Sequence, residues 1–342
     1  MSIKWIVTGL LVASAGAYAY ADYQTDRQLS DTLEQARQQL AESGQGQFDY
    51  ADARMSLISN DITLEQVSYI AAEPDQPDFS IKTITITGLE KNQQQIPTNL
   101  RIAMDDVEMR VNSISAMLAE ADAMSLKLIE DNFDIRDNTL YLHYDAEMGY
   151  DYDTTASTLD AFSHYRSETM LDSDIALQIV NLPKLDQPLD QLDAEAVQQR
   201  QAEMMKQLFS NAGLTRLQLA YRDRGLMDKL YQTAAADPEM IATMQAQGLE
   251  PTVENLKQTL LTAMQQSMQE QTRQVSPLEK ELMAHLQQFL TSDDPSLDIT
   301  VSSVKPEGLK FSDFLVLMMS NGNPEIASKL VNITIDSGAT AN

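Results

Sequence analysis

The sequence predicts an α+β fold: a curved, bulged, meander-like antiparallel sheet packed with helices, plus one N-terminal transmembrane helix. Apolar residues alternate with polar ones through much of the first half, as in half-buried strands. Several of these strands change phase midway, which predicts bulges and therefore curvature. The second half carries apolar stripes at helical spacing, separated by helix-start signals.

The N-terminal segment, residues 1–24, is predicted to be a membrane anchor or a signal segment. From Trp5 to Ala21 it carries no charged residue. As a helix it would reach about 25 Å, close to the thickness of a bilayer core. Lys4 precedes it and Asp22 follows it, so the positive-inside rule sends the rest of the chain out of the cytoplasm.

Retention and cleavage of this segment are both open. Tyr18, Tyr20 and Tyr23 are typical of an interfacial aromatic belt, which favours an anchor that stays. Ala19 and Ala21 each end a small-x-small triplet, which fits cleavage by signal peptidase and a soluble periplasmic product. In either case the body is expected to be extracytoplasmic.

Residues 25–46 predict a helical stalk that ends at its glycines, and residues 47–182 predict a strand-rich region. Within the second region, 114–131 has the spacing of a helix. Three strands change phase, and these changes are interpreted either as bulges or as short strands that cross between two sheets. The changes fall between Leu64 and Val67, between Ile81 and Ile84, and between Met104 and Val107.

A Pro-containing stretch at 183–195 predicts a linker, and residues 196–342 predict a helix-rich region to which strands return. Asp237-Pro238 and Ser276-Pro277 each place a capping residue before a proline, the pattern of a helix start. Whether 47–342 forms one domain or two is open at this point.

The charge balance excludes several classes of function. The 51 acidic residues against 24 basic ones leave a formal net charge of −27, which repels nucleic acid and anionic headgroups. No nucleic-acid partner is therefore expected. The chain has no cysteine, which removes disulfides and thiol chemistry.

No catalytic motif appears in the chain, so we expect neither an enzyme nor a cofactor. His143, His164 and His285 lack zinc-site spacing, and we interpret them as structural or solvent-facing. The acidic pairs do not follow a Ca²⁺ loop, so no metal site is expected. These pairs are Asp151/Asp153, Asp172/Asp174 and Asp293/Asp294.

Methionine is abundant, with 18 residues, and several lie at helical apolar positions. Ordinary core packing explains such stripes, and a deformable apolar groove is the alternative that would bind a ligand. The residues predicted to line this groove are Met117, Met124, Met204, Leu208, Leu260, Met264 and Met268.

Two stretches, "LQLAYRDRGLMDKLYQTAAA" and "LDITVSSVKPEGLKFSDFLVLMM" with the following "NPEIASKLVNITID", carry a family resemblance. Over residues 213–336 the chain resembles the YdgA-like family of bacterial proteins of unknown function, and more distantly the AsmA-like, lipid-binding curved-sheet proteins. The resemblance implies a retained inner-membrane anchor and a periplasmic body in a Gram-negative bacterium. It carries no catalytic residue. The turn at Arg222, Asp223 and Arg224 is predicted to be a solvated corner eased by Gly225.

The function expected from these observations is a membrane-anchored, periplasmic, non-catalytic binding or scaffold protein in cell-envelope maintenance. Its groove would hold a lipid chain or a membrane-protein segment. One alternative is an acidic protein–protein interaction module without a ligand. The least favoured alternative is a carboxylate-dependent envelope hydrolase, which would need a pair of carboxylates in a cleft.

Overall fold

The computed structural model describes residues 26–44, 46–56, 59, 61–72, 77–88, 98–111, 133–137, 139–183, 206–270, 277–292, 294–319 and 324–338. The helices in this part of the chain are α1 (Asp26–Glu42), α2 (Leu226–Ala235), α3 (Pro238–Ala246), α4 (Val253–Glu270), α5 (Pro277–Thr291), α6 (Phe311–Met319) and α7 (Pro324–Ala327). The strands are β1 (Gly46–Asp49), β2 (Asp52–Met55), β3 (Ile62–Ala71), β4 (Asp78–Thr87), β5 (Asn99–Val111), β6 (Asp134–Arg136), β7 (Thr139–Asp153), β8 (Thr158–Arg166), β9 (Leu171–Val180), β10 (Gly213–Asp223), β11 (Ser296–Ser303) and β12 (Val331–Ser337).

These elements confirm the predicted class as a large, open antiparallel sheet accompanied by helices. The predicted N-terminal segment, residues 1–24, lies outside the described residues. Within the described part of the chain, no helix is both long and apolar enough to span a bilayer. The helix predicted at 114–131 and the linker predicted at 183–195, apart from residue 183, also lie outside the described residues.

The described residues form two compact units, here called unit one and unit two. Unit one contains the described residues of Met1–Ile114, Arg136–His164 and Gln178–Ala212. Unit two contains those of Ser115–Ile135, Tyr165–Leu177 and Gly213–Asn342.

In unit one, β1, β3, β4, β5 and β7 pair antiparallel in that order, and β2 also pairs with β3. The apolar face of these strands forms the core, and α1 packs against it through Leu29 and Leu33, both almost fully buried. The residues predicted to form a helical stalk are helical over Asp26–Glu42, and this helix buries its apolar stripe against the sheet.

The phase change in β5 is a bulge-type irregularity against β7, as predicted, whereas β3 and β4 change phase without a shift of their shared register. Gln66 in β3 and Asp106 in β5 have φ angles of 50° and 53°, and Asp105 and Asp106 together oppose Asp145 on β7. The register places Lys82 of β4 opposite both Gln66 and Asp106, so the irregular positions form one row across the strands. We call this row, Gln66, Lys82, Asp106 and Asp145, the crease.

The crease keeps the apolar residues of both phases on one face. Leu64 and Val67 flank it in β3, Ile81 and Ile84 flank it in β4, and all four belong to the same buried core. The alternative, strands that cross between two sheets, is wrong for β3 and β4 because they stay paired in one register on both sides of the crease.

In unit two, β10, β11 and β12 pair antiparallel. One buried cluster joins α2, α3 and α4 around Tyr231, Met244 and Leu256. A second cluster holds Leu309, Leu330 and Val331, against which Leu317 of α6 packs. The capping signal at Asp237 is confirmed, because its carboxylate accepts hydrogen bonds from the backbone N–H groups of Glu239 and Met240.

Two glycines bring the start of β10 against the segment that leads into α6. Leu214 and Leu309 exchange backbone hydrogen bonds of 2.9 and 2.8 Å. A Cβ on Gly308 would lie 2.6 Å from the carbonyl carbon of Gly213, and a Cβ on Gly213 would overlap with the carbonyl oxygen of Glu307. Gly308 also has a φ of 79°, so both its backbone angle and its space require glycine.

We predict that Gly308→Ala destabilises the protein by about 3 kcal/mol, because the positive φ angle and the backbone clash both add to the cost. Gly248→Ala is the matched control, since Gly248 has a φ of 76° but open space around the added Cβ. It should lose only about 1 kcal/mol. Urea denaturation of the two variants measures both values, and equal losses would show that the contact between Gly213 and Gly308 contributes nothing.

Candidate functional site

Helix α6 exposes the face that a helix on a protein surface normally buries. Phe311, Phe314, Leu315 and Met318 follow the spacing i, i+3, i+4, i+7, which marks one face of a helix. All four side chains are exposed, and Met318 is 77% exposed. No residue of the nine-residue helix is buried.

Val316 and Met319 widen this exposed face, with Met319 84% exposed. We call the six residues the α6 surface: Phe311, Phe314, Leu315, Val316, Met318 and Met319. Contiguous exposed apolar residues of this kind mark interaction sites more often than scattered ones do. The α6 surface is therefore the candidate binding site of unit two.

The opposite side of α6 is held by specific contacts. Leu317 packs against the cluster that contains Leu309 and Leu330. Asp313 accepts a hydrogen bond of 2.9 Å from Nζ of Lys305 and one of 3.0 Å from the backbone N–H of Lys310. Burial raises the pKa of Asp313, but these hydrogen bonds and the two lysine charges outweigh burial and lower it from its ordinary value. The orientation of the helix is thus fixed by polar and apolar contacts on its inner side.

Sequence reasoning missed the α6 surface. The run "FLVLMM" is apolar on every side of the helix, so its periodicity does not indicate which face is buried. The only local signal was Asp313, whose spacing from Lys305 and Lys310 fits an anchored inner side.

The residues predicted to line a groove are described only in part. Met117, Met124 and Met204 lie outside the described residues. Met264 and Met268 lie in α4 (Val253–Glu270), where the structure describes only their backbone.

The other two groove candidates are exposed and belong to different units. Leu208 is in helical residues 206–211 of unit one, and Leu260 is in α4 of unit two. That the predicted residues line one groove stays a prediction.

At the corner of Arg222, Asp223 and Arg224, the prediction of solvated charges was wrong for Asp223, whereas Arg224 is exposed. Asp223 is only 7% exposed. Its carboxylate accepts hydrogen bonds from the backbone N–H groups of Gly225 and Met227, at 2.9 and 3.1 Å. It is buried because it satisfies the free N–H groups at the start of α2.

Arg224 pairs with Asp172 of β9 through its guanidinium, and its backbone N–H donates to the carbonyl of Met170. Hydrogen bonding to Asp172 and the charge of that carboxylate raise the pKa of Arg224. The contacts at this corner therefore join β9, β10 and α2 within unit two, which is a structural role.

Tyr221 lies beside the same corner. Its hydroxyl donates to Asp223 over 3.3 Å, and its ring meets Phe289 edge-on at 5.6 Å. Burial and the nearby Asp223 carboxylate raise the pKa of Tyr221 to about 12.

A group of carboxylates occurs on the strands of unit two. Asp298 of β11 lies directly opposite Asp336 of β12. Burial and the charge of Asp336 raise the pKa of Asp298, and Asp174 adds to this while Arg222 opposes it. No group of three or more His, Asp or Glu side chains among the described residues is arranged to hold a metal ion. The hydrolase alternative would need a carboxyl group with a raised pKa. However, repulsion between two carboxylates that face each other on paired strands also raises a pKa, without any catalytic role.

The three histidines take part in different contacts. His143 is half exposed and lies 4.0 Å from Glu108, and the ring of His164 meets that of Phe162. Nδ1 of His285 lies 2.8 Å from Oγ of Ser337, a contact that links α5 to β12.

Part of the chain matches a known family model. Residues 170–338 match a family model described as "Uncharacterized protein". No curated protein matches the chain. The matched residues include β10 to β12, the corner at Asp223 and the whole α6 surface.

We predict that Tyr221 gives a late step in a titration of tyrosine absorbance, near pH 12, and that Tyr221→Phe removes it. Up to about pH 10 the group is neutral in both states, so it does not affect stability. Between pH 10 and pH 12 only the unfolded state ionises, and the folded state therefore loses stability in this interval. The Tyr221→Phe variant should lose less stability than the unsubstituted protein between pH 10 and pH 12. A titration unchanged by the substitution would contradict the assignment.

We also predict that Asp298→Asn stabilises the protein by about 0.5 kcal/mol at neutral pH, because it removes a repulsion between facing carboxylates. The gain should disappear at acid pH, where Asp298 takes up a proton in the folded state before an ordinary Asp does. Asp336→Asn is the matched control, and the double variant should gain less than the sum of both. Chemical denaturation at two pH values measures this, and a loss of stability in Asp298→Asn would refute it.

Proposed function

We propose that this protein is a non-catalytic binding or scaffold protein of the cell envelope. In this proposal the N-terminal segment holds it in the inner membrane and its body lies in the periplasm. The α6 surface binds an apolar partner, either lipid acyl groups or a membrane-protein segment. The observation that carries the proposal is the outward-facing apolar stripe Phe311, Phe314, Leu315 and Met318 on a helix with no buried residue.

The family resemblance supports the same proposal. The match over 170–338 covers the stretches "LQLAYRDRGLMDKLYQTAAA" and "LDITVSSVKPEGLKFSDFLVLMM", on which the likeness to YdgA-like proteins rests. We propose membership of that group of envelope proteins of unknown function, with a more distant relation to AsmA-like proteins.

The polar contacts in unit two favour a binding role over catalysis. Asp223 caps a helix and Arg224 joins two elements, so neither is free to act on a substrate. Asp313 is engaged by Lys305 and by the backbone of Lys310. The apolar α6 surface of this unit, in contrast, suits binding.

Photo-crosslinking in cells tests the proposal. A photoreactive phenylalanine analogue replaces Phe314 in the α6 surface, and the same analogue at exposed Gln245 of α3 serves as the control. We expect position 314 to crosslink to lipid or to a membrane-protein segment, several-fold above position 245. Crosslinks equal to the control would refute the α6 surface as the binding site.

A third position separates the α6 surface from the predicted groove. Leu260 is exposed and apolar like Phe314 but belongs to α4. Efficient crosslinking from 260 and none from 314 would return the binding site to the groove residues. Efficient crosslinking from 314 alone supports the proposal as stated.

A further inference from the structure

The α6 surface is strongly exposed and short, and these properties limit what can cover it. A pocket for a single acyl chain encloses most of its ligand, whereas Met318 and Met319 stand 77% and 84% exposed on one helix. A nine-residue helix is about 14 Å long, too short to cross a bilayer but long enough to lie in its surface. A helix of this kind binds membranes by placing its apolar face below the headgroups.

The local charge also favours a lipid surface. The chain as a whole carries −27, so a second copy or another acidic protein would be repelled. The stretch from Ile299 to Ile335 is balanced, in contrast, with Lys305, Lys310 and Lys329 against Glu307, Asp313 and Glu325. The α6 surface is thus in a locally neutral segment, which Asp298 and Asp336 bound on either side.

One lysine near α6 is placed to reach a headgroup layer. The charges of Lys305 and Lys310 both act on Asp313 at the inner side of α6, whereas Lys329 is exposed shortly after α7. Long basic side chains beside an apolar helix face can reach headgroup phosphates while their stems stay among apolar groups. Balanced local charge within an acidic chain suits zwitterionic headgroups better than anionic ones.

We propose that α6 inserts into the interfacial layer of a bilayer with mainly zwitterionic headgroups. Phe311, Phe314, Leu315 and Met318 enter the acyl region, and Lys329 lies at the headgroups. This inference rests on the proposed function and names the lipid bilayer as the partner of the α6 surface. The body would then contact a membrane at a second place, separate from the N-terminal segment.

Depth-dependent quenching tests this inference on the full chain. Because the chain has no cysteine, Met318→Cys and Gln245→Cys can each carry one environment-sensitive fluorophore. Both proteins are reconstituted into phosphatidylcholine vesicles that contain nitroxide lipids. We expect the label at 318 to be quenched about threefold more than the label at 245 and to shift its emission to the blue. Equal, water-like emission at both positions would overturn the inference.

Two further variants sharpen the result. Leu315→Glu in the Met318→Cys background should reduce quenching to the control level, with an unchanged circular dichroism spectrum and melting curve. Replacing half of the lipid by phosphatidylglycerol should weaken quenching at low salt, and added salt should restore it. Quenching that increases with the anionic lipid would overturn the preference for zwitterionic headgroups.

The outcomes also separate this inference from the proposed function. A water-exposed label at 318 together with crosslinking of a protein segment from position 314 would refute bilayer insertion alone. A water-exposed label and no crosslink from position 314 would refute both. Quenching at 318 together with lipid crosslinks from position 314 supports both.

Discussion

Unit one depends on the crease, the row of irregular positions that crosses neighbouring strands. In a period-two strand an apolar residue that moves by one position turns to the opposite face. Without the left-handed backbone at Gln66 and Asp106, the residues after the switch would leave the core. Because the irregularities are aligned, the strands change phase together and remain paired. One apolar face therefore survives on both sides of the crease, and α1 can cover it.

Unit two depends on a backbone contact of a different kind. Gly213 and Gly308 approach so closely that neither position has room for a side chain. The bridge between Leu214 and Leu309 follows from this approach and fixes where the chain leaves the sheet. Asp313 and Leu317 then set which side of α6 faces inward. The exposure of the α6 surface is thus a consequence of contacts made before and beneath the helix.

Local patterns in the sequence predicted several elements well. The phase changes between Leu64 and Val67 and between Met104 and Val107 marked the crease, because alternation is a direct record of burial in strands. Asp237 before a proline marked the start of α3 for an equally local reason. Features that depend on long-range contacts could not be predicted. The burial of Asp223 depends on the placement of α2. The close backbone contact between Gly213 and Gly308 involves positions far apart in the chain.

The candidate binding site, the α6 surface, was the least predictable part, and the reason is physical. An apolar stripe indicates that a helix face is shielded from water. It does not indicate whether the chain itself or a partner covers that face. Leaving six large apolar side chains partly exposed forgoes on the order of 5 kcal/mol of burial. That sum is comparable to the net stability of a typical domain. A fold that fixes α6 through Asp313 and Leu317 while accepting this cost is consistent with a stripe that is covered by something other than the chain.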